Sequence, residues 1–533
     1  MKQCLILGAI CLTVSAALAQ VPNQATSTQV GNQQQSTQLQ TGSGHSSIVT
    51  QTTGSSGTAN VGNSARTDQT GQAHTATVDQ IDSFSSTAGI TQTGSGNEAS
   101  VTQSDVSRRN TATITQHGTD NGPGTGPLSL GFTTIYQGLN ATGNTATITQ
   151  GSPSPGVSGN SALIYQYDDA ESNTATISQQ GNANTGLVTQ ATSATANSAQ
   201  LTQSGGLSYG EISQIGNASD NEATIMQSAS GNRGRIFQQG SPAGDASYRN
   251  TATLTQTGAD NEAEINQLGN GGDAHDNGAT ISQTGSGNNS FVTVAGQPGG
   301  AVINQGNMGS GSGNSHHNEA TIEQAGTGSG AVINQYDNSF YNAATIRQAG
   351  SSDYAVINQI TASGNNVATV TQGALGVSNQ AYVRQQHTDN SGLSSATKNT
   401  VTLEQNTTRS GGFNTAKLIQ GYGIDFAGPA STLSTGNSIT GSQQGGGNDV
   451  RLAQAGQNNS ATFTQTGNDN VLYNANPDGS PGNSYAPMIG TGNTLTVNQL
   501  NDVTTGKANS NAAYVNINGT NNTAIINQTI QQN

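Results

Sequence analysis

Residues 110–116 read NTATITQ, and residues 144–150 read the same seven letters. NTATISQ follows at 173–179 and NTATLTQ at 250–256. Aligned, these give Asn-x-Ala-x-Φ-x-Gln, where Φ is Ile, Leu, Val or Phe. Full copies run from Asn97 to the stretch Asn522–Gln528. Looser copies include Asp353-x-Ala355-x-Ile357-x-Gln359 and Asn448-x-Val450-x-Leu452-x-Gln454. The four fixed positions are two apart, the period of a β-strand, so they share one face. Thr, Ser, Glu and Arg take the other face. Between phrases come Gly, Asn, Ser and Asp, as in TGSGN (93–97) and TGADN (257–261), residues that suit tight turns.

Spacing extends the strand into an architecture. The closing glutamines at 179, 190, 203, 214, 227 and 238 are separated by 11 and 13 residues in alternation. Two strands and two short arcs therefore make a repeat of about 24 residues. Stacking such repeats predicts an all-β fold, a parallel β-solenoid (β-helix) with two strands per turn and cross-β stacking. At the usual strand spacing, roughly 18 layers would form a rod about 90 Å long.

The inward face then explains the repetition. Ala99 and Val101, Ala112 and Ile114, Ala146 and Ile148, and Ala263 and Ile265 fill the gap between the two sheets. Each phrase begins and ends on a carboxamide: Asn97 and Gln103, Asn110 and Gln116, Asn144 and Gln150, Asn173 and Gln179, Asn221 and Gln227. The series continues with Asn250 and Gln256, Asn261 and Gln267, Asn318 and Gln324, Asn459 and Gln465, and Asn522 and Gln528. A buried amide is costly unless paired. Stacked on an identical amide one layer away, it donates and accepts along a ladder. Every layer must then carry the same rung.

Composition agrees with a repeat protein. Hydrophobic residues make up 31%, charged residues 8%, Trp is absent and Gly numbers 71. That is too little apolar surface for several ordinary cores, and too regular and uncharged for a disordered chain. The formal net charge is −15, or −16 once Lys2 is removed, with no basic face for nucleic acid. Residues 1–19 read as a secretory signal peptide, with Lys2, an apolar stretch from Leu5 to Val14, and Ala17-Leu18-Ala19 before Gln20. Cys4 and Cys11 both fall within it, so the mature chain is expected to be cysteine-free. No later stretch is apolar and long enough to span a membrane.

The domain reading places a Gln/Ser/Thr-rich segment at 20–62, with its leader (20–40) read either as a secretion or targeting tail or as two degenerate strands, and the solenoid at 63–533. Longer, proline-bearing loops are expected near 121–131, 151–159, 421–436 and 474–492.

One unit reads Ser86-x5-Gln92-x-Gly94-x2-Asn97-x-Ala99-x3-Gln103. Asn250-x5-Gln256-x-Gly258-x2-Asn261-x-Ala263-x3-Gln267 and Asn448-x5-Gln454-x-Gly456-x2-Asn459-x-Ala461-x3-Gln465 are close versions with Asn in the leading place. The pattern resembles the repeat of curlins, subunits of bacterial curli fibres. The resemblance implies a secreted subunit that polymerises with itself into functional amyloid on the surface of a two-membrane bacterium. It implies a nucleator subunit, a dedicated outer-membrane pore, and roles in biofilm matrix, adhesion and contact with host or matrix surfaces. It passes an assembly role to Ser86, Gln92, Asn97, Gln103, Gln256, Asn261, Gln267 and their equivalents, and a turn role to Gly94, Gly258 and Gly456. The chain departs from the family's usual handful of repeats by its length.

No enzyme chemistry is legible and no cofactor is called for. No His precedes Glu, and no Gly-x-Gly-x-x-Gly or phosphate loop occurs. His316 and His317 are adjacent, a poor ligand spacing on a loop, so no metal site is assigned. Tyr136, Tyr165, Tyr209 and Tyr382 fall at outward or arc positions and read as ordinary cross-strand packing or, second, as an aromatic surface for adhesion or lateral bundling. Two rival readings stand beside the fibre subunit: a non-polymerising surface adhesin and an ice-binding solenoid. The outward row Thr111, Thr113, Thr115 would suit ice, but Glu262, Glu264 and Asn266 hold the same places elsewhere.

Overall fold

The computed structural model describes residues 21–530 except 32, 53–61, 122–132, 152–158, 242–243, 270–271, 289–299, 308–314, 374–377, 389–397, 408–411, 422–433, 475–484 and 502–510. The signal peptide at 1–19 and most of the loops near 121–131, 151–159 and 421–436 lie outside the described residues.

Every long strand pairs in parallel with the strand one coil away. Face B is a sheet of 18 strands that starts at Gln35–Ser43 and ends at Thr523–Ile530. Face A starts at Gln24–Val30 and, with the short strands described below, forms a sheet of 25. The register is strict. Thr145–Gln150 lies on Thr174–Gln179 with Ala146 opposite Ala175, Ile148 opposite Ile177 and Gln150 opposite Gln179. A one-residue slip would turn the core outward, so burial fixes this register.

Burial alternates as the phrase demands: Ala146, Ile148 and Gln150 are buried while Thr145 is exposed. Ala99, Val101, Ala112, Ile114, Ala263 and Ile265 belong to one apolar cluster running from Val49 to Ile517. Burying one such Ile contributes about 2 kcal/mol before ordering entropy is subtracted. Volume is traded between layers. Phe463 replaces the usual Ile, and its register partner is Gly441. A Cβ on Gly441 would sit 1.9 Å from the Phe463 ring.

Glycine in the arcs answers a close approach of backbones. Gly94 has φ 111°, and a Cβ there would lie 2.0 Å from the carbonyl oxygen of Gly118 in the next coil. Gly456 has φ 101° with the same conflict against Gly490, whereas Gly258 meets Gly285 without a positive φ.

Two features differ from the sequence reading. First, the coil has a third, short element. The arc entering face B carries two-residue strands at Ala218–Ser219, Ser247–Tyr248, Ala274–His275, Ser315–His316 and Ser339–Phe340. Bridges from Phe84 through Arg108, Thr142, Glu171 and Thr195 to Ser219 extend this column. The longer, 13-residue interval has room for it; the 11-residue interval does not. Second, the stretch 474–492 is not all loop. Ala486–Thr491 is a strand paired with Asp449–Gln457, with Ala486 and Met488 buried. It keeps the apolar alternation but lacks the Asn and Gln that mark the phrase.

The 20–62 segment contributes strands Gln24–Val30, Gln35–Ser43 and Ser46–Thr52. Their inward positions are partly polar. Ser47 Oγ meets Thr67 Oγ1 at 2.7 Å inside the rod.

Candidate functional site

The candidate site is the pair of glutamine columns inside the rod. On face B, Gln40 Nε2 donates to Gln69 Oε1 at 2.9 Å, and Gln69 to Gln92, Gln92 to Gln116 and Gln116 to Gln150 in turn. The chain continues through Gln179, Gln203, Gln227, Gln256, Gln283, Gln324 and Gln348. It then passes Gln372, Gln405, Gln443, Gln465 and Gln499 to reach Gln528. Face A carries a parallel ladder from Gln29 through Gln103, Gln267 and Gln420 to Gln454, where Met488 Sδ replaces the next carboxamide. All donors point the same way along the rod.

Most of these carboxamides also close their own coil. Gln92 Nε2 reaches the carbonyls of Thr75 and Asn97 at 2.9 and 3.0 Å, and Gln103 Nε2 reaches those of Thr87 and Asn110. The end of one strand is thereby tied to the start of the opposite face. This use needs both a donor and an acceptor, and among the described residues only Gln occupies these positions until Met488.

The asparagine columns also bond amide to amide, as Asn173 Nδ2 does to Asn144 Oδ1 at 3.1 Å, and add contacts to the backbone of the next coil. Asn144 Oδ1 accepts the backbone N–H of Asn173 at 2.8 Å, and Asn144 Nδ2 donates to the carbonyl of Ala170 in the next coil. Asn110, Asn197, Asn221, Asn250, Asn277 and Asn318 repeat the pattern, each donating to a small buried residue three places before the next rung. The unit missed by sequence reading is thus (Ser or Ala)-x-x-Asn, legible as Ala141 before Asn144 or Ser247 before Asn250. What the next coil requires is an acceptor for a backbone N–H. Ser86 Oγ serves Asn110, His74 Nδ1 serves Asn97, and Asp353 Oδ1 serves Asn379.

The residues expected to form the ladder are buried at Ser86, Gln92, Asn97, Gln103, Asn110, Gln116, Asn144, Gln150, Asn173, Gln179, Asn221, Gln227, Asn250, Gln256, Asn261, Gln267, Asn318, Gln324, Asn459 and Gln465. Asn522 and Gln528, in the last described coil, are exposed and half-buried respectively. The structure does not join the Asn and Gln columns into one ladder; they run side by side.

Asp353 stands in a column that opens on His45 and His74 and then holds Asn or Ser on either side of it. Burial pushes its carboxyl up to about 7, against the lowering effect of the hydrogen bonds from Asn379 and Gly350. Its Oδ2 has no partner among the described residues. Tyrosines pack across strands: Tyr136, Tyr165 and Tyr167 have ring centroids 6.2–6.4 Å apart. Tyr209 donates to Glu211 and lies under Arg233.

The profile of the curlin associated repeat family matches residues 170–205 and 249–275. The chain carries curlin repeats. The first match spans Asn173, Gln179, Gln190, Asn197 and Gln203, and the second spans Asn250, Gln256, Asn261 and Gln267, all ladder positions. Coils between and beyond the two matches keep the same register and hydrogen bonds as these curlin repeats. A search of curated proteins returns no match to the chain. Among the described residues no helix is long and apolar enough to cross a membrane.

Proposed function

We propose that the chain is a structural, non-catalytic subunit of extracellular curli-like amyloid fibres that serve biofilm matrix and adhesion. The observation that carries this reading is the polarity of the face B ladder. Among the described residues, Gln528 Nε2 donates to the carbonyl of Ala512 but to no further glutamine, and Gln40 Oε1 receives no ladder donor. One end offers what the other lacks. A second copy placed head to tail would continue the ladder, and its strands would pair the open edges. The last coil supports addition with apolar inward groups, Val515, Ile517, Ala524 and Ile526.

The assembly role of Gln92, Gln103, Gln256, Gln267 and their equivalents belongs to the same proposal, as do secretion through an outer-membrane pore and a nucleator partner. A second reading, a non-polymerising surface rod, is favoured by the first coils. Ser27, Ser36 and Gln38 take inward places there, as a polar capping repeat would. Time-resolved electron microscopy of residues 20–533 from monomer separates the two. Unbranched fibres support the first reading, and a stable population of rods about 90 Å long supports the second.

A further inference from the structure

The third column holds chemistry the ladders do not use. Four successive coils read SYRN (247–250), AHDN (274–277), SHHN (315–318) and SFYN (339–342). Parallel pairing stacks Tyr248, His275, His316 and Phe340 with ring centroids 4.7, 4.8 and 5.8 Å apart. The neighbouring positions Arg249, Asp276, His317 and Tyr341 all have left-handed φ between 51° and 54°. Asp276 receives Arg249 through two bonds of 2.7 Å and His275 Nδ1 at 2.8 Å. His317 Nε2 stands 3.8 Å from the same Asp276 Oδ2. His316 and His317 face each other through their Nδ1 atoms at 2.9 Å.

We propose that His275, Asp276 and His317 form a binding site for a first-row divalent transition cation such as zinc, shared between two successive coils. One ligand atom from each lies within 4.8 Å of the other two. A common ion at about 2.0–2.2 Å from each needs contraction by roughly an ångström. Side chains exposed by 15%, 24% and 41% have the freedom to make it. Two imidazoles and one carboxylate suit zinc, copper or nickel, whereas calcium and magnesium require more oxygen ligands. Arg249 is the positioning residue: it holds the carboxylate ionised and aimed, and a carboxylate retains further lone pairs for the ion. Its positive charge opposes the ion and sets the affinity below that of a dedicated structural site. Coordination through His275 Nδ1 moves the proton which that nitrogen now donates to Asp276 onto Nε2, the other tautomer of the neutral imidazole.

The site has a mechanical consequence. Asn277 and Asn318 are successive rungs 41 residues apart, while Asn318 to Asn342 and Asn342 to Asn366 take 24 each. His275 and Asp276 precede this long excursion and His317 follows it. An ion held by all three ties the start of this long coil to its end, across the longest return between successive rungs among these coils.

The test is equilibrium binding of Zn2+ to untagged residues 20–533, which hold no cysteine, with His317→Ala, Asp276→Asn and, as control, His117→Ala. The expected result is one zinc per chain, weakened at least about tenfold in both site variants and unchanged in the control. Far-UV circular dichroism checks that each variant keeps its β signal. Co2+ added to the wild type gives a readout that needs no variant, the visible ligand-field absorption of imidazole-bound cobalt. Absence of zinc uptake and of that absorption in the wild type would overturn the proposal. So would site variants that fold and bind like the wild type.

Discussion

Gln92 Nε2 donates to Gln116 Oε1 at 2.9 Å although the two residues are 24 positions apart in the chain. The bond exists because each coil returns the chain to the same register. Each coil is therefore a mould for the next, and the rod is held by repetition as much as by its thin core.

Removing one rung strands two neighbours. Gln203→Ala leaves Gln179 Nε2 without its ladder acceptor and Gln227 Oε1 without its donor, both buried. An unsatisfied buried group costs about 1–3 kcal/mol, so this variant should lose clearly more than the outward Thr202→Ala, expected within about 0.5 kcal/mol. Chemical denaturation with hydrogen exchange on the flanking strands measures the difference. Equal losses would contradict the ladder account.

The two columns should tolerate different chemistry. Asn197→Ser keeps an acceptor for the Asn221 N–H, as Ser86 does for Asn110. Gln203→Asn is too short to span the layers. We expect the first to cost about 1 kcal/mol and the second about twice that, read from the same denaturation curves.

These columns also show what was legible in the sequence. The phrase fixed strand direction, inward face, core and rung positions, because a period of two leaves no choice of face. It did not show that Asn Oδ1 pairs with a backbone N–H, since His74 and Asp353 look like faults until that geometry is known. The short third strand was missed because its marker is one small residue, Ala141 or Ser247, three places before Asn. The strand Ala486–Thr491 was missed because it carries Ala486 and Met488 without a carboxamide. The histidine pair at 316–317 read as loop because its partners, His275 and Asp276, are brought near only by a coil of 41 residues.

Asp353 predicts a pH dependence. Its carboxyl titrates at about 7 in the fold against a reference of 3.8. Between those values the folded chain keeps a proton that the unfolded chain has released. The group's contribution is thus fully present below about pH 4 and lost as pH rises through about 7. The difference in unfolding midpoint between wild type and Asp353→Asn should be small at pH 4 and favour the variant at pH 8. A pH-independent difference would contradict the assignment.

The residue before most face B rungs takes left-handed backbone. Ala196 has φ 55°, and Gly143 holds the same place before Asn144. Left-handed backbone costs a non-glycine residue about 1 kcal/mol, so Ala196→Gly should be neutral or stabilising. Gly94→Ala, whose Cβ would meet the Gly118 carbonyl at 2.0 Å, should destabilise. Thermal unfolding of both variants reads the two signs.

Face A loses its ladder at Met488 and Ile517, which share the column of Gln454. If copies add to this end, Met488→Gln with Ile517→Gln restores the column and should speed seeded elongation. Unchanged or slower elongation would place the growing contact elsewhere.

The most direct test of end-to-end stacking is the distance between Thr529 of one copy and Thr41 of the next. Continuing the observed register puts Gln40 beside Gln528, and hence these two outward threonines about 5 Å apart. The sequence after residue 19 has no cysteine, so a single introduced cysteine carries a spin label at either place. Fibres grown from a mixture of the two labelled chains should give strong dipolar broadening. Fibres showing none, or close contacts only between like-labelled positions, would contradict the account.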